Sequence, residues 1–394
     1  MPLGGAWLTP RGGFKPRRGA ARGAILSGQG RSALRGCVVA MAAAGASGLY
    51  VNPNTGAAQA GLAPFRNALI NGDMRINQRG TSTNLASLTA VGTTFAYSCD
   101  RWHAYRHGFV TGTAIGQGTT LTVGDMPFDE AGITTFSRIS RLSGNTGTQL
   151  IYFAYNMESQ DSVKYKNKPV TLSFYVRGGA NFSGSILYSE IISGTGTDQV
   201  LRSAYTNSTV EQQKTTALST SWIKVTLTKT VSSVLNQIGV RFVYTPTGTA
   251  GAADYFDVTG VQLELGSVAT PFEVRPYPVE LQLCQRYYIR WVATKLYTHF
   301  PVTGYISSPG NFFGTIITQT NLRISPNSQS QFTTSGLFEI VGAFQSSNIV
   351  IDIDSSSINS FRILATGTGG TAGFGGVLRA AASIGAFLAI DVEL

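Results

Sequence analysis

The histidines are the first residues in this chain that could support chemistry. A nucleophilic serine or cysteine needs a histidine beside it, but His103, His107 and His299 occur in no recognisable nucleophile context, and there is no Gly-x-Ser-x-Gly motif. His103 and His107 are four residues apart, and on a strand this spacing separates them by ~13 Å. With no third ligand nearby, we expect them to be surface residues rather than metal ligands.

Paired carboxylates are the second candidate, because enzymes that cleave polysaccharides use two Asp or Glu residues about 5–10 Å apart. The closest pairs are Glu158 with Asp161, Asp254 with Asp257, and Asp352 with Asp354. The last pair alternates with Ile351 and Ile353, which indicates the solvent face of a strand. No pair is flanked by the aromatic residues that a sugar cleft would need. We therefore expect no catalytic residues and no enzyme activity.

The three cysteines, Cys37, Cys99 and Cys284, are widely spaced and form no CxxC pair. This pattern argues against a disulfide scaffold or a zinc site. It is typical of a protein that folds in a reducing cytoplasm.

Aromatic residues are the strongest candidates for binding, since exposed rings can stack on the faces of sugars. The chain has 16 Tyr, 21 Phe and 4 Trp, and most of these must lie in a core. The predicted sugar-stacking residues lie in two segments: Trp102, Tyr105, Phe109, Tyr297 and Tyr305.

The composition predicts β structure, and it differs in the first 72 residues, which contain basic but no acidic residues. Charged residues make up 13%, against about 25% in ordinary domains. Of the 30 basic residues, eight precede the first carboxylate, Asp73, so the rest of the chain has 22 basic and 20 acidic residues. A nucleic-acid-binding domain would carry its basic residues on the fold itself, so no nucleic acid is expected as a partner. No apolar run reaches ~18 residues, so membrane insertion is not expected either.

Residues 1–45 are rich in Gly, Arg and Ala and cannot bury a core of their own. We interpret them as a basic arm that anchors the chain to a partner surface. The anchoring residues would be Arg11, Lys15, Arg17, Arg18, Arg22, Arg31 and Arg35. Residues 37–45 are too alanine-rich, and preceded by too long a segment, for a secretion signal. An alternative is that the biological start is Met41, with the preceding residues an extension.

The remaining chain predicts an all-β protein. Residues 46–64 read as a linker, and residues 65–277 as a jelly-roll β-sandwich, similar to carbohydrate-binding modules. Residues 278–290 predict a short linking helix, because Leu281, Cys284, Gln285 and Tyr288 follow helical spacing. Residues 291–394 predict a second, smaller β-sandwich domain. The predicted strands include residues 170–177, 222–231, 238–244, 255–265, 314–320, 349–354, 361–365 and 386–394.

Three segments together resemble a family of bacteriophage tail-fibre and virion structural proteins. They are residues 67–80 (NALINGDMRINQRG), followed by Asp100-Arg101-Trp102; residues 258–277 (VTGVQLELGSVATPFEVRPY); and residues 280–288 (ELQLCQRYY). The resemblance covers residues 65–290 well and the last hundred residues loosely.

This resemblance implies a virion protein made in the bacterial cytoplasm and carried on the particle surface. It would be tail-fibre-like, anchored to other virion proteins by its arm, attached to host polysaccharide and assembled as a homo-oligomer, in fibres usually a trimer. One alternative is a capsid-decoration or head-fibre protein, and another is a polysaccharide depolymerase. No cofactor is expected. Folds of this type often hold a structural calcium, for which Asp73 and Asp257 would be ligands, although solvated carboxylates are favoured because calcium needs ~6–8 oxygens.

Overall fold

The computed structural model describes residues 49–51, 58–60, 64–80, 89–90, 95–106 and 112–393. The chain divides into two compact units, Met1–Leu62 and Ala63–Leu394. In the first unit, β1 (Leu49–Val51) and β2 (Ala58–Ala60) form an antiparallel hairpin. The hairpin falls where the sequence predicted a linker. The predicted basic arm lies outside the described residues.

The second unit begins with a jelly-roll sandwich of two six-stranded antiparallel sheets, as predicted. The front sheet has the order β11-β10-β13-β8-β5-β4. Its strands are β4 (Ala96–Cys99), β5 (Trp102–Arg106), β8 (Ile151–Asn156), β10 (Ile186–Gly194), β11 (Thr209–Ala217) and β13 (Gln237–Tyr244). The back sheet has the order β12-β9-β14-β7-β6-β3. Its strands are β3 (Thr89–Ala90), β6 (Thr113–Gly118), β7 (Phe136–Arg141), β9 (Pro169–Gly178), β12 (Ile223–Thr230) and β14 (Tyr255–Leu265).

The second domain, also as predicted, packs two sheets around one core. The smaller sheet has the order β15-β24-β18, formed by β15 (Tyr288–Val292), β18 (Phe332–Ser335) and β24 (Phe387–Asp391). The larger sheet has the order β20-β19-β23-β16-β17-β22-β21. Its strands are β16 (His299–Ser308), β17 (Asn311–Ile317), β19 (Phe338–Ile340), β20 (Phe344–Ser346), β21 (Asn348–Asp352), β22 (Ser360–Thr366) and β23 (Gly375–Ala380).

The described helices are short. They are α1 (Met126–Ala131), α2 (Ser159–Ser162) and α3 (Tyr277–Gln285), with 3₁₀ turns at Val163–Tyr165, Leu201–Ser203, Gln329–Gln331 and Ile353–Ser355. The linking helix was predicted to run to residue 290, but it ends at Gln285, and Tyr288 begins strand β15. The β-forming sequence from Tyr288 to Val292 pairs with β24 instead. As a result Tyr288 does not share a helix face with Cys284.

Alternation along the strands fills the sandwich core. On β8, Ile151, Phe153 and Tyr155 point inward, and the Phe153 ring stacks on Trp102 with centroids 5.4 Å apart. Burying side chains of this size stabilises the fold by about 1.5–3 kcal/mol each. Tyr152 and Ala154 must then lie on the opposite face.

The first of the three recognised segments, residues 67–80, holds the start of the sandwich against strand β14. Asn71 adopts a positive φ of 58°, and its side chain bonds both the backbone N–H and the carbonyl of Ile76 at 2.9 Å. Gly72 accepts a bond from the Val261 N–H at 2.9 Å, and a Cβ on Gly72 would lie 2.2 Å from the Val261 oxygen. Only glycine permits this approach of the opening segment to β14.

The other two recognised segments are joined to each other by an ion pair and to the first segment by hydrogen bonds. Arg275 pairs with Glu280 at 3.3 Å and with Glu273 at 3.4 Å, and Glu273 accepts the Asn67 N–H at 2.8 Å. The segments that carry the family resemblance thus form one structural network.

Arginine–carboxylate contacts also join the two domains. Arg79 pairs with Asp391 at 2.5 Å, and its guanidinium lies 3.9 Å from the ring centroids of both Tyr97 and Tyr288. Arg101 pairs with Glu393 and lies 3.4 Å from the ring centroid of Tyr287. These contacts fix the second domain against the sandwich.

Candidate functional site

Aromatic residues line the outer face of the front sheet. Tyr188, Val243, Tyr152 and Tyr105 are directly paired positions on β10, β13, β8 and β5. Directly opposite residues project on the same side of a sheet, and the core residues of these strands project on the other side. We call these four residues the tyrosine row.

Val243 is the one residue of the tyrosine row that is not a tyrosine, and it lies between Tyr152 and Tyr188. Tyr152 and Tyr188 lie two strand spacings apart, ~9.5 Å, and valine is much shorter than the tyrosines on either side. Both tyrosines are partly exposed, whereas Val243 is only 6% exposed and the Arg241 guanidinium lies 5.1 Å from the Tyr152 ring centroid. The surface that a ligand can reach is therefore the exposed part of the two tyrosine rings.

A row of hydrogen-bonding side chains runs beside the tyrosine row. Gln213, Glu190 and Arg241 are paired positions two residues along their strands from Thr215, Tyr188 and Val243. Arg241 pairs with Glu190 at 2.7 Å, and the Gln213 amide donates to Glu190 at 2.6 Å. These three residues, the polar rail, lie ~7 Å from the tyrosine row. Such groups can bond the hydroxyls of a sugar whose apolar face stacks on an aromatic ring.

At the Tyr105 end of the tyrosine row, the side chains pack closely against one another. The Tyr105 and Tyr152 rings stack at 4.7 Å with planes 12° apart. Tyr105 also packs with Leu201 and Tyr205 of the loop between β10 and β11, and burial raises its pKa to about 12. Tyr105 therefore supports Tyr152 rather than offering a free ring.

His103 lies two residues before Tyr105 on β5, on the same face of the sheet, and is buried among aromatic rings. Its ring centroid is 5.6 Å from that of Tyr97 and 5.8 Å from that of Tyr105. Burial, with the nearby Arg202, Arg101 and Arg79 charges, lowers the pKa of His103 to about 3. The expectation that His103 is a surface residue is wrong, because its strand position faces a covered part of the sheet. His107 lies outside the described residues.

The predicted stacking residues have different outcomes. Trp102 is 0% exposed, and the prediction that it stacks on a sugar is wrong. It lies three positions before Tyr105 on the same strand, so it projects into the core. Phe109 and the predicted anchoring residues fall outside the described part of the chain. Tyr297 and Tyr305 are 47% and 50% exposed on the second domain.

The carboxylates predicted as possible acid–base pairs are largely bound by arginines. Glu158 pairs with Arg286 at 3.0 Å, Asp254 with Arg141 at 3.2 Å, Asp352 with Arg362, and Asp257 with both Arg138 and Arg177. The Arg286 and Tyr287 hydrogen bonds lower the pKa of Glu158 despite its desolvation, whereas desolvation and the Glu158 charge raise that of Asp161. These side chains act as structural ion pairs.

The proposed calcium ligands are also engaged. The opening and closing segments do lie side by side, but the two Asp257 oxygens accept bonds of 2.7 and 2.8 Å from Arg138, and Asp73 pairs with Arg75 at 3.1 Å. Among the described residues, no group of three or more His, Cys, Asp or Glu is placed to bind a metal ion. In the same part of the chain, no helix is long and apolar enough to cross a lipid bilayer.

Most of the tyrosine row and all of the polar rail were missed from the sequence. The signal was present in residues 151–156 (IYFAYN), where Tyr152 alternates with core positions. Its alignment with Tyr188, 36 positions later and two strands away, depends on a strand register that no local pattern specifies.

No protein-family model and no curated protein sequence matches this chain. Among solved structures, it is similar to the enzymatically active domain of tailspike protein 4 of bacteriophage CBA120, with 12% identity and a TM-score of 0.31 over 56% of this chain. That match spans 24% of the tailspike chain. A CBM4 structure has 16% identity and a TM-score of 0.30, covering 50% of this chain and 98% of its own. The CBM22-1 xylan-binding domain of Paenibacillus barcinonensis Xyn10C has 10% identity and a TM-score of 0.27, covering 48% and 99%.

Proposed function

We propose that this chain is a non-enzymatic attachment protein of a bacteriophage particle that binds host polysaccharide through the tyrosine row. The observation that carries the proposal is the pair of partly exposed rings, Tyr152 and Tyr188, aligned on one face of the front sheet with the polar rail beside them. Stacking on rings combined with hydrogen bonds from a fixed polar row suits a ligand with apolar ring faces and a rim of hydroxyls.

The virion assignment rests on the three recognised segments. It is supported by their meeting in one network around Asn71, Gly72 and Arg275, which gives each motif a structural reason to occur with the others. We propose a tail-fibre-like location with assembly into homo-oligomers, in which weak sugar contacts add through symmetry. A capsid-decoration or head-fibre location is the alternative.

The pairing of the acidic residues with arginines supports binding without cleavage. A glycosidase needs one carboxylic acid and one free carboxylate facing a groove, whereas Glu158, Asp254, Asp257 and Asp352 each pair with arginine. On the polar rail, Glu190 pairs with Arg241 as well.

The test is to pass the full purified chain over an array of neutral and acidic bacterial surface polysaccharides, and then to incubate it with those that retain it. We expect retention on at least one polysaccharide and no change in its chain length. Shortened chains would favour the depolymerase alternative, and no retention on any member of the array would overturn the proposal.

A further inference from the structure

The larger sheet of the second domain carries a separate apolar strip on its outer face. Gly375, Tyr305, Phe313, Leu364 and Val350 are directly paired positions across five adjacent strands, β23, β16, β17, β22 and β21. Their sequence neighbours, including Phe312 and Ile363, are buried in the domain core, so these five positions project outward. Tyr305 is 50% exposed, and the Tyr305 and Phe313 ring centroids lie 6.0 Å apart.

Hydrogen-bonding side chains border this strip on both sides. On one side run Thr303, Thr315, Arg362 and Asp352, again in paired positions. On the other side run Asn311, Thr366 and Asn348, in which the Asn348 amide donates to the Thr366 hydroxyl at 3.0 Å. The cross-section is therefore apolar in the middle and polar at both edges.

The charges on this surface cancel. The Arg362 guanidinium donates to Asp352 at 2.7 Å and lies 4.7 Å from the Phe313 ring centroid. These two are the charged residues of the strip and its borders, so a neutral ligand meets no unpaired charge. An acidic ligand would have to compete with Asp352 for Arg362.

The size of the strip favours a glycan over a second copy of this chain. Four strand spacings give a length of ~19 Å, and the two-residue repeat of side chains on one face gives a width of ~7 Å, or ~130 Å² of apolar surface. A stable protein interface buries about 800 Å² on each partner around an apolar centre. A single sugar chain is narrow enough to cover the strip while its hydroxyls reach both borders.

We infer that this strip is a second carbohydrate site, which binds a neutral glycan chain lying across β16, β17 and β22 with one sugar stacked on Tyr305. The inference rests on the proposed function and goes beyond it by assigning a second, independent site. Two sites on one rigidly joined chain would let a long polysaccharide engage both, which raises avidity through effective concentration.

The experiment uses the full chain labelled with 3-fluorotyrosine and observed by fluorine NMR. The Tyr305 and Tyr152 resonances are assigned from Tyr305→Phe and Tyr152→Phe variants. The probe is a neutral hexasaccharide prepared from the polysaccharide that retains the chain in the array. We expect both resonances to shift on titration, and Tyr305→Ala to weaken binding of the intact polysaccharide by at least tenfold while hexasaccharide binding at Tyr152 persists.

Ile317→Ala is the matched control, since Ile317 is 71% exposed on the same face of the same strand as Phe313, two rows away. It should leave binding unchanged. A shift at Tyr152 with none at Tyr305 would overturn the second site alone, and shifts at neither would overturn the proposed function with it. Dissociation of an oligomer by Tyr305→Ala, seen by sedimentation, would show instead that the strip joins copies of the chain.

Discussion

Tyr105 and Tyr152 stack with their ring centroids 4.7 Å apart and their planes 12° from parallel. The pair joins Tyr105, a buried residue that packs against a loop, to Tyr152, a partly exposed residue of the tyrosine row. A binding ring that is already fixed by its neighbour loses little conformational entropy when it meets a ligand.

Replacing Tyr152 by alanine should weaken polysaccharide binding. Loss of one stacking ring costs about 1.4–3 kcal/mol on the scale of aromatic contacts, which corresponds to a 10- to 100-fold rise in the dissociation constant. Isothermal titration on the full chain measures this. Tyr277→Ala, at the start of α3 and outside the tyrosine row, is the control and should bind as the parent does. Equal binding by the Tyr152 variant would contradict the assignment.

Replacing Glu393 by glutamine should loosen the contact between the domains. The Arg101 and Glu393 side chains are 1% and 6% exposed, and removing one partner of a buried ion pair costs about 3–5 kcal/mol. Urea unfolding measures the loss.

The control for that pair is Asp352→Asn, which breaks the more exposed pair with Arg362. Its cost should stay below about 1 kcal/mol. Similar losses of unfolding free energy in both variants would show that burial does not make the Arg101–Glu393 pair more stabilising than the exposed pair.

His103 should make the fold sensitive to acid. Its pKa falls from 6.5 to about 3 in the folded state, so the folded protein binds fewer protons than the unfolded chain in that range. This contribution to stability is complete above pH 6.5 and is lost toward pH 3, by up to about 1.4 kcal/mol per pH unit. His103→Phe should therefore move acid unfolding to lower pH, as followed by circular dichroism. His299→Phe alters an exposed histidine and should not; an identical shift in both variants would rule out the mechanism.

Gly72→Ala should destabilise the sandwich, because the added Cβ would lie 2.2 Å from the Val261 oxygen. Overpacking of this kind costs about 1–3 kcal/mol. Gly375→Ala is the matched control, since a Cβ there would have its nearest neighbour at 3.8 Å. Thermal unfolding should separate the two variants by several degrees, and equal midpoints would show that the segment can move away from β14.

Local alternation predicted much of the fold. The strand at Tyr255–Leu265 was placed correctly to the residue. The helix end was missed because the sequence after Gln285 fits a helix face and a strand equally well, and pairing with β24, about a hundred residues later, decides between them.

The site was less accessible to sequence reasoning. Trp102 and Tyr105 were grouped because they are close in sequence, yet three positions on a strand place them on opposite faces. The Arg79–Asp391 pair joins residues 312 positions apart, and no spacing rule predicts such a contact. Tyr305 was chosen because its segment, residues 297–305, is rich in aromatic residues, and its side chain is 50% exposed.

The most direct test of the central claim is a crystal structure of the full chain with an oligosaccharide from the polysaccharide that retains it. We expect a sugar ring packed against Tyr152 or Tyr188, with its hydroxyls bonded to Arg241 or Glu190. A sugar bound elsewhere on the sandwich, touching neither Tyr152 nor Tyr188, would contradict the account.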